Sequence, residues 1–301
     1  MNPLAIVPLV LSLGATSSDL GQWTIYSERG NEEVYRLVVA LLPVAQRDLE
    51  RQLGLALRGH PAIVLSGSTE SFRRSTPGVD HRHTLGVAFP EQEVIYLNCQ
   101  RIEQEPYESF AVTLRHELSH LIVGEVARRG NRRVPLWFDE GVAVWTSGKL
   151  PFYDTGAFAR AVAASTLPPL SDLEDAFPLD PTDRGMAYEQ GESVVRFIAR
   201  QGGDEAIRRI LRGAADGLEF DAAVKGATGM DLATLERRWL AEVRPRWPWL
   251  SWALNAFTLF GIMSLLAVFA FGVYCHRRRQ KFREWDLEEG LDECRGRPWW
   301  H

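Results

Sequence analysis

His116-Glu117-Leu118-Ser119-His120 lies inside the apolar stretch Tyr107 to Ala127, whose spacing predicts a helix. On a helix, residues four apart stack on one face, so both imidazoles aim at one point. A single Zn²⁺ there can take a nitrogen from each. Glu117 falls beside the remaining coordination position, where it can take a proton from a water that the metal activates.

A catalytic zinc takes three protein ligands and leaves one position open. No histidine follows His120 until His276, and the longer H-E-x-x-H-x-x-G-x-x-H pattern fails because Val123 and Val126 stand at its last two signature positions. A downstream third ligand must therefore be a carboxylate. Trp137-Phe138-Asp139-Glu140-Gly141 supplies one, on a second predicted helix that opens at Pro135 beyond the polar turn Arg128 to Arg133. An antiparallel pair of these helices brings Glu140 level with the two histidines. Its neighbours Trp137, Phe138, Val142 and Val144 point to a packed helix, and a buried carboxylate needs a cation or hydrogen bonds. Asp139 is the rival ligand. It is also read as the acceptor for the free N–H of a zinc-bound histidine, or as a surface acid.

These segments resemble the peptidase MA-like family of gluzincin zinc metallopeptidases, which pairs an H-E-x-x-H helix with a W-F-x-E-G-type helix. Tyr188-Glu189-Gln190-Gly191-Glu192-Ser193 is similar to the family's Y-x-Q-G/S segment, and Gly229 to Val243, with Leu235 and Trp239, to its closing helix. The likeness is specific around the metal and diffuse in the first hundred residues. Between His120 and Glu140 the gap is one residue longer than the family's usual one, a difference the turn can absorb. The resemblance implies that His116, His120 and Glu140 hold zinc and that Glu117 is general base and then proton donor. An oxyanion formed at the scissile carbonyl needs a donor beside the metal. Tyr188 is the first candidate and Tyr153 the second, with a core-anchored ring as the alternative for either.

Two weaker features remain in the front part. His81 and His83 form an H-x-H in a polar loop, read as a loop near the cleft or a metal site. An extended substrate can pair with an edge strand; either Val94 to Leu97 or Gly86 to Phe89 is a candidate, and the pattern does not choose.

The 301 residues carry a formal net charge of −5, which gives no reason to expect nucleic-acid binding. Cys99, Cys275 and Cys294 are scattered, so a cysteine-based metal site is not expected. Pro3 to Ala15 is apolar and ends in small residues, the form of a signal peptide over residues 1–17. From Trp249 to Cys275 no side chain carries a charge at neutral pH, a run longer than the ~20 residues a helix needs to cross a bilayer. Tryptophans flank its start and Tyr274 its end, and Arg277, Arg278, Arg279, Lys281 and Arg283 follow. The positive-inside rule puts the tail 276–301 in the cytoplasm and residues 18–246 outside it, periplasmic or extracellular.

Strands are predicted at Trp23 to Tyr26, Pro61 to Leu65, Gly86 to Phe89 and Val94 to Leu97, the last two as a hairpin. Gly67 to Thr84 reads as mostly loop. Helices are predicted over Asn31 to Leu57, Arg184 to Gln201, Gly203 to Leu211 and Asp231 to Arg244, besides the two already described. The expected fold is α+β: a zincin-like domain with a small mixed front half and a helical back half, followed by one transmembrane helix over 249–275. The expected activity is that of a membrane-anchored zinc metallopeptidase acting on a peptide or protein. The alternatives are a zinc-binding recognition module without hydrolysis and a zinc hydrolase of a non-peptide amide. No residue pattern speaks to oligomeric state.

Overall fold

Alternation and apolar runs in the front half build one sheet of five strands, β1 (Thr16–Leu20), β2 (Trp23–Ser27), β3 (Ala62–Ser66), β4 (Gly86–Phe89) and β5 (Val94–Asn98). The order is β1-β2-β3-β5-β4, with β2, β3 and β5 parallel and both edge strands antiparallel to their neighbours. The central strands are rich in Ile, Val and Leu because both faces of a covered parallel sheet are buried. Ile63, Leu65, Ile95 and Leu97 point into the main core, while Val64, Val94 and Tyr96 meet Phe72 on the opposite face.

The computed structural model describes residues 16–79, 84–104, 107–148, 155–178 and 180–244, with 261, 263–274 and 276–277 near the C-terminus. Contacts divide the chain into one unit ending at Val243 and another beginning at Arg244.

The main-core face is covered by α1 (Glu32–Leu53), which stops short of the expected Leu57 at a left-handed Gly54. The other face is covered by α2 (Thr69–Ser75), a helix inside the segment expected to be loop. Its N-terminus is set by Ser68, whose hydroxyl accepts from the Ser71 amide, and its one large apolar residue, Phe72, is fully buried. Seven residues with a single core anchor are too few to show a helical period. The hairpin of β4 and β5 forms as expected, through a 3₁₀ turn at Pro90–Gln92.

Beyond β5 the chain is helical: α3 (Cys99–Ile102), α4 (Tyr107–Val123), α5 (Glu125–Gly130), α6 (Leu136–Ser147), α7 (Thr155–Ala164), α8 (Pro181–Ala215), α9 (Phe220–Thr228) and α10 (Leu232–Val243). The motif helix thus ends at Val123 rather than Ala127, and the expected turn at Arg128 begins as helix α5. Buried Glu125 explains this break. It accepts from Arg128 (2.5 Å), Arg129 (3.0 Å) and the Arg58 amide (3.1 Å), while Arg128 also donates to the Pro90 and Leu121 carbonyls. The end of the motif helix is thereby tied to the turn of the hairpin. Within α8, Gly203 takes φ 67° and ψ −177°, a conformation open to glycine, which kinks the helix at the boundary expected after Gln201. The closing helix α10 buries Leu235 and Trp239, and the Trp239 indole donates to the Ser193 hydroxyl of α8 at 3.0 Å. The mixed front half and helical back half match the expected α+β class.

The predicted signal peptide lies outside the described residues up to residue 15; Thr16 and Ser17 belong to β1, opposite Ser27 and Tyr26. The predicted span 249–275 is described at 261 and 263–274, which are helical and expose Leu265, Phe269 and Phe271. Among the described residues no helix is long and apolar enough to cross a membrane. His81, His83, Tyr153 and residues 278–301 of the tail lie outside the described residues.

Candidate metal centre and active site

The motif helix α4 packs on the main-core face of the sheet with α6 running antiparallel to it. Arg115 ties the pair by donating through Nε and Nη2 to the Thr146 carbonyl at 3.3 and 3.2 Å. The opposite ends of the same stretch bring His120 beside Asp139 and Glu140. The expected helix pairing is therefore the observed one, and it converges three side chains: ligand atoms of His116, His120 and Glu140 all lie within 4.8 Å of one another.

Glu140 Oε2 stands 3.5 Å from Nε2 of both His116 and His120. It is buried and has no hydrogen-bond partner, which is costly for a carboxylate oxygen. Ligands about 2.0–2.2 Å from a shared tetrahedral zinc stand roughly 3.3–3.6 Å apart, and both oxygen-to-nitrogen distances fall in that range. Two imidazoles and a carboxylate are also the donor chemistry that zinc accepts. The imidazole rings meet edge to face, with centroids 4.9 Å apart.

Surrounding groups orient this set. Asp139 Oδ1 lies 3.1 Å from His120 Nδ1, on the side of the ring away from Glu140. The Tyr188 hydroxyl donates to Glu140 Oε1 at 3.4 Å. Tyr188 reaches that point because α8 crosses α6 at two glycines. A Cβ on Gly141 would sit 2.5 Å from the Gly191 backbone, and one on Gly191 would be closer still to the Trp137 carbonyl oxygen. The glycines of the two quoted motifs are thus each other's contact.

Glu117 points toward the sheet edge. A Cβ at Gly86 would lie 3.1 Å from Glu117 Cγ, so the bare backbone of β4 leaves room for the carboxylate arm. The sheet order also decides between the two candidate strands, since β4 is the edge and β5 is interior. Burial pushes the Glu117 carboxyl above its ordinary range, partly offset by the two histidines and a hydrogen bond from the Ala88 backbone. Burial acts on Glu140 in the same sense, but His120 and His116 outweigh it and hold that carboxyl below the usual range. Burial opposes protonation of His120, yet Asp139 and Glu140 raise it well above the ordinary imidazole value.

Beside Glu140 opens a cavity of about 530 Å³, lined in part by Leu136, Phe177, Arg184 and Tyr188. Of these, Phe177 and Arg184 carry no motif signal in the sequence, and Arg184 is distinguished only by standing four residues before Tyr188.

A family model of the peptidase MA superfamily matches residues 66–245. The chain belongs to the peptidase MA superfamily. In the chain, His116, His120 and Glu140 form a group that could hold a metal ion. Among solved structures, this peptidase MA chain is similar to native yeast LTA4 hydrolase at 15% identity and TM-score 0.42, covering 80% of this chain and 38% of that one. It is also similar to an M1 zinc metallopeptidase mutant from Deinococcus radiodurans at 16% identity and TM-score 0.40, covering 75% of this chain and 51% of the other. The chain therefore spans about half or less of the length of these two structures. No curated protein matches it.

Proposed function

We propose that this chain is a membrane-anchored zinc metallopeptidase whose domain of residues 18–246 acts outside the cytoplasm on peptides or proteins. The convergence of His116, His120 and Glu140 around one point, with Glu117 between that point and an open sheet edge, carries the reading. His116, His120 and Glu140 would hold zinc, which when bound would supply Lewis acidity for activating a water molecule and polarising the scissile carbonyl. Glu117 takes the water's proton on its carboxylate and later delivers it to the leaving amine nitrogen, so no covalent intermediate with the protein is needed. Asp139, with Oδ1 3.1 Å from His120 Nδ1, backs the ring on the side away from the metal position. Tyr188, beside Glu140, donates its phenolic proton in a hydrogen bond to the oxyanion. The outer side of β4 offers backbone groups along which an extended substrate lies as an added strand.

The anchor is supported by the run Trp249 to Cys275, free of Asp, Glu, Lys, Arg and His, and by the basic residues that follow it.

The test is turnover of a degenerate peptide mixture by the purified full chain, wild type beside Glu117→Gln. Chelator-sensitive cleavage by the wild type, lowered about 10²–10⁴-fold in the variant at equal zinc content, is expected for loss of a general base. Bound zinc in both proteins with no cleavage by either would replace this reading with recognition alone or with hydrolysis of a non-peptide amide.

A further inference from the structure

The segment Glu125-Val126-Ala127-Arg128-Arg129 sets two arginines at three and four residues from one acid, the spacings that share a helix face. Both guanidiniums close on the buried Glu125 carboxylate, Arg128 through Nε and Nη2 and Arg129 through Nε. The two arginines are almost equally covered, with 25% and 23% of their side chains exposed. They differ in where the rest of each fork goes.

Arg129 reaches the Ala56 carbonyl, in the connection that follows α1. Arg128 Nη2 donates instead to the Leu121 carbonyl at 3.1 Å, in the last turn of α4 and one residue beyond His120. Its Nη1 donates to the Pro90 carbonyl at 2.7 Å, in the turn that follows β4. One planar group thus joins the end of the motif helix to the end of the edge strand, by hydrogen bonds in which the donor is charged.

Other contacts of that turn differ in kind. The Arg133–Glu91 pair is exposed on both sides and contributes little. Pro90 packs on Gly124, where a Cβ would stand 2.6 Å from Pro90 Cβ, so this contact limits how closely the turn approaches α4 without bonding to it. Glu93 closes the turn at φ 55°, a left-handed conformation that costs a non-glycine residue, and its carboxylate lies 3.5 Å from Arg128 Nε.

Strand β4 is where this hairpin meets the chemistry. Its outer side is the open edge of the sheet, the Ala88 backbone donates to Glu117, and Gly86 lies against the same side chain. Pairing with β5 fixes the register of β4, while its hold on α4 at the turn end runs through Arg128. A strand released there has to be ordered by the arriving substrate, at a cost in binding.

Resting on the peptidase reading of the metal centre, we infer that Arg128 is a positioning residue. By binding the Pro90 carbonyl it holds edge strand β4 against the motif helix, where an extended substrate pairs beside Glu117.

The experiment compares full-length Arg128→Met, Arg128→Lys and Arg129→Met with wild type in peptide turnover normalised to bound zinc, alongside amide hydrogen exchange of segment 86–98. Arg129→Met removes an equally covered partner of the same carboxylate without touching the hairpin, so it reports what lost stability alone does. Lower stability reduces the amount of active protein and with it apparent kcat, whereas a loosened strand raises KM. Arg128→Met is expected to raise KM about tenfold, the low end of what a hydrogen bond to a charged group is worth, and to speed exchange in the segment. Arg129→Met should leave both near wild type, and Arg128→Lys, which keeps a donor without the fork, should recover part of the KM. An Arg128→Met protein with wild-type KM, or one matched by Arg129→Met, would overturn the assignment. If Arg128→Met does not fold, Arg128→Lys makes the same comparison, and an unchanged KM there overturns it equally. If wild type cleaves no peptide, the peptidase reading fails and exchange still decides. Faster exchange in Arg128→Met alone keeps Arg128 as the holder of β4, and equal exchange in the two methionine variants removes it.

Discussion

At the scale of single residues, the centre is a balance of charge that only a cation completes. Glu140 Oε2 is buried without a hydrogen bond, 3.5 Å from two imidazole nitrogens, and Asp139 and Glu140 raise His120 well above the ordinary imidazole value. Tyr188 touches the same carboxylate, and its phenol has two possible uses, holding Glu140 or meeting the oxyanion. Tyr188→Phe separates them. An oxyanion donor should cost about 10²–10³ in kcat with zinc content and KM nearly unchanged, as removal of one such donor does elsewhere. A variant that loses zinc instead would assign the hydroxyl to metal retention. Glu140 was legible before folding because an acid among Trp137, Phe138, Val142 and Val144 has to be compensated. Asp139 was not separable from it in that way, since both sit on one helix and only the rotation of α6 decides which acid faces the metal point and which backs His120.

At the scale of elements, the site is a crossing of three helices against one sheet edge. Helices α4 and α6 carry the candidate ligands His116, His120 and Glu140, and α8 brings Tyr188 beside them at the Gly141–Gly191 contact. Because both obstructing groups are backbone, an added methyl cannot be absorbed by a rotamer change. Gly191→Ala is expected to force α6 and α8 apart and to destabilise the domain by about 1–3 kcal/mol, the usual cost of overpacking. Urea unfolding of the variant beside wild type measures this, and an unchanged midpoint would mean the helices have slack. The helix pair and the hairpin were readable from periodicity and turn residues. Helix α2 and the break at Gly124 were not. The first is too short to show a period, and the second depends on Glu125 meeting Arg58 from a distant part of the chain.

At the scale of the whole molecule, the residues up to Val243 and those from Arg244 form separate units, and the anchoring proposal concerns the second. Full-length protein is expected in the membrane fraction after alkaline carbonate extraction, and a chain ending at Arg246 in the soluble fraction. Added protease should remove the C-terminal tail only once the membrane is opened from the cytoplasmic side. Extraction of the full chain by carbonate would overturn the span. The sequence by itself pointed to the candidate histidine pair, the candidate general base, the α+β class and the candidate anchor. Each of these follows from local spacing or from one side chain's need for compensation, which neighbours along the chain express. Only the tertiary structure decided which strand is the edge, which acid stands nearest both histidines and how closely α8 crosses α6. Those depend on contacts between residues far apart in the chain, where packing density and backbone approach set the outcome and local pattern carries no trace of it.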